Sequence, residues 1–321
     1  MVPRLRTSRE RRIFKTGVRN RPGRDKRNPE GEAEKVIRKV GIVACSNAQK
    51  KEYRAQNEEL IRFFDSIGIE PVISSCIYEK NGSVFSGSAE EKAEQLMRMF
   101  WDPDIKEIYD ISGGDMANQI LDDLDYAGIA ESNAVFWGYS DLTTVINAIY
   151  TMTGKASVLY QVKNMTSFGN CADLQRERFQ NREELFAPAF TFVQKSRMKG
   201  VVVGGNIRCF LKLAGTRYFP PLEDKILLLE ALGGEVPQMT TYLSWLKQLG
   251  AFEKVKGIIL GTFTAMEDKA CVPDMVTMVK EYANPETPIV VTKDIGHGDN
   301  AKAIFIGKEI EINSYEYAKV V

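Results

Sequence analysis

The sequence has only one histidine, His297, among its 321 residues. A metal site built from several histidines is therefore disfavoured, and any proton transfer by histidine must use His297. Cysteine is sparse as well. The five cysteines are odd in number and include no CxxC pair, which predicts reduced, packed thiols in a cytoplasmic protein rather than a disulfide framework.

The chain also lacks an excess of either charge and lacks long apolar runs. Lysine plus arginine and aspartate plus glutamate each total 43, so the net charge does not favour a nucleic acid or a membrane surface as partner. No run approaches the roughly 18 apolar residues that a membrane-spanning helix needs. The N-terminus is basic but has no apolar core, which argues against a secretory signal. We expect a cytoplasmic protein that binds neither membrane nor nucleic acid.

Residues 1–38 differ in composition from the rest of the chain. They are rich in arginine, are interrupted by proline and glycine, and contain few large apolar residues. This composition predicts a disordered basic tail. Such a tail can be an arm that binds nucleic acid or another partner, or it can be dispensable. A short basic run is weak evidence for binding, so the dispensable tail is the simpler interpretation.

Apolar strands alternate with amphipathic helices from Val40 onward. The run VGIVACS is typical of a buried parallel strand, and Ser88 followed by Glu91 is the pattern of a capping box at the start of a helix over residues 89–101. This β-α alternation predicts an α/β fold with a parallel sheet and right-handed crossovers.

The alternation is lost over residues 160–198 and resumes from Gly200. We therefore place a domain boundary near residue 190. Close to the C-terminus, the alternating run KAIFIGKEIEI predicts a hairpin at Gly307-Lys308.

The segment KEIYDISGGDMANQILD, residues 106–122, predicts a buried strand, a Gly-Gly turn and a helix. This local geometry can present a nucleophile above an α/β sheet, and the amides at the start of such a helix favour an oxyanion. Gly113 and Gly114 would permit the tight turn, although such turns also serve as plain connections. The position expected for the nucleophile is occupied by Ala117.

Two later residues could serve a nucleophile at that turn. Glu230 closes the apolar strand KILLLE, where a carboxylate would lie at the edge of the sheet and could orient a histidine. His297 stands between two glycines in DIGHGDN, at the end of another apolar strand. Because all three features follow strand ends, we predict that the His297 ring and the Glu230 carboxylate form a hydrogen bond, with the Ala117 methyl group close by.

The segment GYSD, residues 138–141, has the serine of a nucleophile elbow but lacks the glycine that follows it. We predict instead that Ser140 or Asp141 caps the next helix.

Taken in order, these segments resemble the LD-carboxypeptidase family of serine peptidases, which includes the microcin C self-immunity proteins. The resemblance covers roughly residues 40–315. It rests on segments that are individually weak but occur in the same order and spacing: SGSAEEKAEQLMRMFWDPDIKEI, SGGDMAN, WGYSDLT, GGNIRCFLKLAGTRYFP, KILLLEAL, LKQLGAFEKVKGIILGTF and DIGHGDN.

The resemblance implies a flavodoxin-like parallel-sheet domain over residues 39–165, a connection over 166–190, and a smaller β-rich α/β domain over 191–321. It also implies a homodimer with its site between the domains and no metal or cofactor. Family members hydrolyse the amide between an L- and a D-amino acid, typically in the cytoplasmic murein tetrapeptide, whereas the immunity members cleave a peptide-nucleotide antibiotic.

The family uses a Ser-Glu-His triad. By resemblance, Glu230 is the orienting glutamate, His297 is the general base, and the serine position falls on Ala117. The Gly113-Gly114 turn with the Asp115 amide would form the oxyanion hole, and Asn206 would contribute to substrate binding.

The sequence departs from the family at the nucleophile, because a methyl group has neither a lone pair nor a labile proton. Ala231 also replaces an aspartate that commonly follows the glutamate, and DNAKAIFIG lacks a typical proline. Four interpretations of Ala117 remain open. It is an engineered replacement of serine; the protein is a non-catalytic member that binds wall peptides; Ser112 or Asp115 substitutes; or Glu230 and His297 activate water directly.

Three function hypotheses follow. The first is a hydrolase of an L,D-amide in a murein-derived or antibiotic peptide. The second is a catalytically silent member that binds such peptides or acts in immunity or sensing. The third, a generic flavodoxin-like binder of a phosphorylated molecule, would leave the second domain and the Glu230/His297 pair unexplained.

Overall fold

The computed structural model describes residues 38–80, 82–313 and 319–320. The predicted basic tail lies outside the described residues, apart from Arg38. Within them there are thirteen strands: β1 (Arg38–Val43), β2 (Ile69–Ile73), β3 (Ile105–Asp110), β4 (Val135–Gly138), β5 (Ser157–Leu159), β6 (Thr191–Gln194), β7 (Arg197–Asn206), β8 (Lys225–Ala231), β9 (Gly257–Phe263), β10 (Ile289–Val291), β11 (Ile304–Ile306), β12 (Glu309–Asn313) and β13 (Lys319–Val320).

The helices of the described residues connect these strands. They are α1 (Arg54–Ser66), α2 (Ala89–Trp101), α3 (Tyr126–Glu131), α4 (Thr143–Thr153), α5 (Ala172–Gln180), α6 (Arg182–Leu185), α7 (Ile207–Leu211), α8 (Val236–Gln248), α9 (Ala251–Lys254), α10 (Thr264–Asp268) and α11 (Met275–Tyr282). Four 3-10 helices cover Lys51–Tyr53, Ala117–Asp123, Ser140–Leu142 and Val162–Met165. None of the helices in the described part of the chain is both long and apolar enough to cross a bilayer.

The first sheet has the strand order β2-β1-β3-β4-β5-β11. Strands β1 to β5 are parallel, which gives the order 2-1-3-4-5 of flavodoxin-like folds, and β11 joins antiparallel at the β5 edge. Strand β1 lies between β2 and β3, and all four residues from Val40 to Val43 are buried, as the apolar run predicts for a strand covered on both faces.

The second sheet has the order β13-β12-β7-β8-β9-β10-β6. Its four central strands, β7 to β10, are parallel, and the strands at both edges run antiparallel to their neighbours. Strand β8 is buried from Ile226 to Ala231. Glu230 therefore lies near the C-terminal end of the strand and is buried together with the apolar residues that precede it. Buried clusters of apolar side chains pack between these sheets and their helices.

Local signals in the sequence place several boundaries correctly. The capping box is present: the Glu91 amide donates to Ser88 Oγ at 3.1 Å, and the Ser88 amide donates to Glu91 Oε2 at 2.8 Å. Helix α2 ends at Trp101, immediately before Asp102-Pro103, because the residue before a proline disfavours helical backbone angles.

Three local predictions need correction. After the Gly-Gly turn the chain forms a 3-10 helix and then α3, not one helix, because the Asp125 carboxylate caps a new start by accepting from the Gly128 amide at 3.0 Å. The connection predicted over residues 166–190 contains α5 and α6, two helices that the sequence analysis did not predict. The hairpin at Gly307 is also wrong. Strand β11 pairs with β5 and β12 pairs with β7, and the Gly307 amide donates to the Val202 carbonyl at 2.8 Å, so this turn crosses between the two sheets.

Candidate active site

The candidate site is a cleft at the C-terminal ends of the parallel strands of the first sheet. Loops that follow β1 and β3 form one wall, and ligands of open α/β sheets bind where such neighbouring connections diverge. The cleft has a volume of about 430 Å³. Its lining includes the Gly113-Gly114 turn, Tyr139 and His297, so it joins the two parts of the chain that the sequence singled out.

The Gly-Gly turn is fixed against the loop after β1. The backbone of Gly114 has φ +131°, and a Cβ atom there would lie 2.2 Å from Asn47 Cγ, so only glycine fits. The Asp115 amide, predicted to serve an oxyanion, donates to Asn47 Oδ1 at 3.0 Å. The exposed Asp115 carboxylate pairs with Arg208. An oxyanion would therefore have to replace the Asn47 side chain at this amide.

Ala117 begins the 3-10 helix behind this turn. It is fully buried and is not among the residues that line the cleft. Its amide donates to Asp141 Oδ2 at 2.8 Å. A backbone hydrogen bond thus fixes Ala117, and both its place at the nucleophile position and the closeness of its methyl group to His297 stay predictions.

Asp141 is a fully buried carboxylate that joins three segments. Besides the Ala117 amide, it accepts a hydrogen bond from Ser46 Oγ at 2.6 Å and pairs with Lys212 Nζ at 2.6 Å. The prediction that Ser140 or Asp141 caps the next helix is wrong, since neither side chain makes such a cap. The Asp141 carboxylate points into the protein interior instead, where it is the acceptor for the three donors just named.

Glu230 and His297 meet as predicted. Nδ1 of His297 lies 2.7 Å from Oε2 of Glu230, whose side chain is fully buried. Since an ionised carboxylate only accepts, the proton of this bond belongs to Nδ1, and Nε2 keeps the lone pair that a general base needs. Nε2 is buried and has no hydrogen-bond partner among the described residues.

Tyr139 completes this group, although no sequence motif pointed to it. Its hydroxyl donates to Glu230 Oε2 at 3.2 Å and lies 3.3 Å from His297 Nδ1, and its ring meets the imidazole edge-on. Burial, and then the nearby Glu230 carboxylate, raise the pKa of Tyr139 well above its usual value, so the phenol stays protonated and donating. The only signal in the sequence was its place directly after strand β4.

Glycines around the His297 loop allow it to lie against the second sheet. Gly296 has φ +147°, and a Cβ atom there would lie 1.7 Å from Thr262 Oγ1. A side chain at this position would therefore push the His297 loop away from β9. Of the two glycines that flank His297, Gly296 is required by this close approach, whereas a Cβ atom at Gly298 would meet only Asn300 Oδ1, at 3.3 Å.

Two serine hydroxyls face the cleft. Ser112 Oγ donates to Asp110 Oδ1 at 2.6 Å, and burial raises the pKa of that carboxyl. Ser140 stands at the turn between β4 and the next helix with φ +54°, a conformation that a non-glycine residue adopts at an energetic cost. Both serines line the same volume as His297, whereas Ala117 does not.

Asn206 occupies a structural position. Its side-chain oxygen accepts from the Cys209 amide at 3.3 Å and caps α7, while its own amide donates to Thr143 Oγ1 at 3.0 Å. Its predicted contact with substrate stays a prediction. The described residues contain no group of three or more histidine, cysteine or carboxylate side chains placed to bind a metal ion.

Lys163 supplies an unusual charge to the cleft. It is 8% exposed, and burial lowers the pKa of Lys163 to about 8. No pattern in the sequence indicated this residue, because a lysine in a polar segment is normally solvated.

The low pKa of Lys163 predicts a pH-dependent stability. Below pH 8 Lys163 is charged in both the folded and the unfolded chain, and burying the charge lowers the stability of the folded chain. Between pH 8 and 10.5 the unfolded chain binds more protons than the folded chain, so the free energy of unfolding rises with pH. We expect Lys163→Met to abolish that rise, which amounts to about 3 kcal/mol. Urea unfolding at pH 7 and pH 10 checks this, with the exposed Lys106→Met as control. A Lys163→Met curve parallel to that of the unmutated protein would contradict the expectation.

Comparison with known proteins identifies the family. The LD-carboxypeptidase N-terminal domain matches residues 40–161, and the LD-carboxypeptidase C-terminal domain matches residues 199–312. A putative carboxypeptidase of Treponema pallidum (strain Nichols) is 26% identical over 303 residues, or 85% of this chain and 89% of the relative. A probable murein peptide carboxypeptidase of Bacillus subtilis (strain 168) is 24% identical over 300 residues, or 88% and 91%.

A solved structure gives the same fold. MccF in complex with glutamyl sulfamoyl guanosine matches with a TM-score of 0.76 at 20% identity, over 89% of this chain and 96% of MccF. The predicted α/β fold class is therefore confirmed, and both sheets are dominated by parallel strands. Given both domain matches, the chain belongs to the LD-carboxypeptidase family.

Proposed function

We propose that this protein binds L,D-peptides of the murein or peptide-antibiotic type in the cleft beside His297, on an LD-carboxypeptidase site from which the nucleophile is missing. The observation that carries the proposal is the 2.7 Å bond between His297 and the buried Glu230 at a cleft bordered by the Gly113-Gly114 turn. A histidine oriented by a buried carboxylate is the base of an acyl-transfer site.

The substrate class is supported by the relatives. One is described as a murein peptide carboxypeptidase, and the structural neighbour MccF was solved with a glutamyl sulfamoyl nucleoside. We assign the general-base role to His297, the orienting role to Glu230, and the oxyanion role to the turn amide at Asp115. A cytoplasmic homodimer, with the two domains divided near residue 190, belongs to the same proposal.

The function proposed here is binding without hydrolysis. It is favoured by Ala117, which offers no nucleophile, is fully buried and does not line the cleft. Hydrolysis by another group is the competing interpretation. Ser112 and Ser140 are the hydroxyls in reach of the cleft, and Asp115 is a poorer candidate because its carboxylate pairs with Arg208 outside the lining.

A paired assay tests the proposal. The unmutated chain and an Ala117→Ser variant are incubated with a murein tetrapeptide, and D-alanine release is followed. We expect the variant to release D-alanine and the unmutated chain to be at least about 10³-fold slower, because removing a triad nucleophile leaves only binding and oxyanion stabilisation. Ala134→Ser, which adds the same hydroxyl at another buried alanine, is the matched control and should stay as slow as the unmutated chain.

The outcomes separate the hypotheses. If the unmutated chain already turns over at the rate of the variant, another group attacks, and Ser112→Ala and Ser140→Ala are the next variants. If neither chain hydrolyses the tetrapeptide yet both bind it, the binding function stands alone. If neither chain hydrolyses or binds it, the peptide assignment is wrong.

A further inference from the structure

The ammonium of Lys163 is held in an uncharged surrounding. Its Nζ donates to Gln49 Oε1 at 2.9 Å and lies 4.8 Å and 4.7 Å from the ring centroids of Tyr53 and Phe168. An amide oxygen and two aromatic faces attract a cation, but none of them neutralises it. The residue nevertheless stays only 8% exposed.

Two lysines with little exposure have a carboxylate partner, whereas Lys92, which is 2% exposed, donates to the Ser46 carbonyl at 2.8 Å. Lys212 pairs with Asp141 at 2.6 Å, and Lys302 pairs with Asp294 at 3.1 Å. In the described part of the chain, Lys163 has no carboxylate within 4.0 Å. Burying a charge without a counter-charge costs free energy. A ligand that brings the opposite charge to Lys163 would offset that cost, and binding it would therefore be favourable.

This cation faces the cleft of the candidate active site. Lys163, Gln49, Tyr53 and Phe168 line the same volume as His297. The 3-10 helix that carries Lys163 is tied to the histidine loop, because Asn164 Nδ2 donates to the Gly298 carbonyl at 3.2 Å. Phe168 is 45% exposed, which leaves an apolar surface beside the ammonium for a ligand to cover.

We propose that Lys163, together with Gln49, Tyr53 and Phe168, forms a subsite that binds a carboxylate group of the peptide. The inference rests on the peptide function proposed above and adds the residue that recognises the peptide's charge. Of the two lysines that line the cleft, Lys50 already pairs with Glu52 at 3.4 Å, so Lys163 is the ammonium left to match a singly charged carboxylate. A doubly charged phosphate fits less well, because Glu79 lines the same cleft and none of its described lining residues is an arginine.

The test measures binding rather than turnover. Isothermal titration at pH 7 compares the unmutated chain, Lys163→Met and the control Lys106→Met, which removes one charge at an exposed position outside the cleft. The probes are the murein tetrapeptide, its C-terminal amide, the tetrapeptide with its other carboxylates amidated, and adenosine monophosphate. Thermal unfolding of each variant confirms that it is folded.

We expect Lys163→Met to weaken tetrapeptide binding about 10- to 100-fold, as for loss of a charged hydrogen bond, and Lys106→Met to leave it within about twofold. One of the amidated peptides should bind the unmutated chain more weakly than the tetrapeptide does, by the same factor. Lys163→Met should bind that amidated peptide and the tetrapeptide with equal affinity. That loss identifies the carboxylate.

Three results would overturn the proposal. Equal tetrapeptide affinity of Lys163→Met and the unmutated chain removes the role of Lys163 and leaves the peptide function intact. Binding of adenosine monophosphate that depends on Lys163, with tetrapeptide binding that does not, assigns the subsite to phosphate. Absence of tetrapeptide binding to the unmutated chain removes the subsite together with the peptide assignment. Hydrolysis by Ala117→Ser is measured separately, so the two proposals fail by different measurements.

Discussion

Replacing Glu230 by glutamine in the Ala117→Ser chain is expected to lower kcat for D-alanine release by about 10³- to 10⁴-fold. The carboxylate now accepts from His297 Nδ1 at 2.7 Å, which leaves Nε2 unprotonated. A glutamine amide can donate to Nδ1 instead, which places the proton on Nε2 and removes the base. It also removes the negative charge that stabilises the imidazolium formed when the serine attacks.

The measurement is single-turnover and steady-state kinetics of Ala117→Ser with and without Glu230→Gln. Because Glu230 is fully buried beneath the histidine, KM should change much less than kcat. Glu235→Gln, at an exposed glutamate paired with Lys269, is the control and should leave kcat unchanged. If the double variant keeps more than about a tenth of the restored activity, Glu230 does not orient the base.

Replacing Asp141 by alanine is expected to lower the free energy of unfolding by about 3 kcal/mol or more. The carboxylate is fully buried and receives the Ala117 amide, the Ser46 hydroxyl and the Lys212 ammonium. Its removal leaves buried donors without an acceptor. It also leaves the Lys212 ammonium with only the more distant Asp115 carboxylate, at 3.7 Å. The contacts of Asp141 join the start of the 3-10 helix at Ala117 to the loop after β1 and to Lys212, which follows α7.

Urea unfolding of Asp141→Ala measures the loss, and Glu94→Ala is the control. Glu94 forms an exposed pair with Arg98 on α2, so its removal should change stability by no more than about 0.5 kcal/mol. Adding Lys212→Met to Asp141→Ala should recover part of the lost free energy of unfolding, because the Lys212 ammonium, which has lost its nearest carboxylate, is then absent. A loss below about 1 kcal/mol in Asp141→Ala would show that these contacts contribute little to folding.

Most of the architecture could be predicted from local patterns. Fully buried strands such as β1 and β8 are continuous apolar runs, and the capping box at Ser88 and the proline after Trp101 set the limits of α2. Weakly patterned segments were harder. Strand β5 has only three residues, and the 3-10 helix from Ala117 depends on a carboxylate that lies 24 positions later in the chain.

The candidate site was predictable only in part for the same reason. Glu230 and His297 stand at the ends of apolar strands, and parallel strands bring their C-terminal ends to one edge, so their meeting followed from the pattern. Asn206, by contrast, was assigned by resemblance, and the structure shows it capping α7. Tyr139 and Asn47 gave no separate signal, since a tyrosine after a strand and an asparagine in a loop are ordinary.

The sequence by itself determined the family, the parallel α/β layout and the pairing of Glu230 with His297, because these depend on chain order and on periodic burial. It also placed an alanine, Ala117, where the resemblance predicts the nucleophile. Only the tertiary structure decided which groups share the cleft. Burial of Ala117, the inward turn of Asp141 and the uncompensated charge of Lys163 arise from contacts between segments far apart in the chain, where packing and desolvation, not local pattern, set the environment of each side chain.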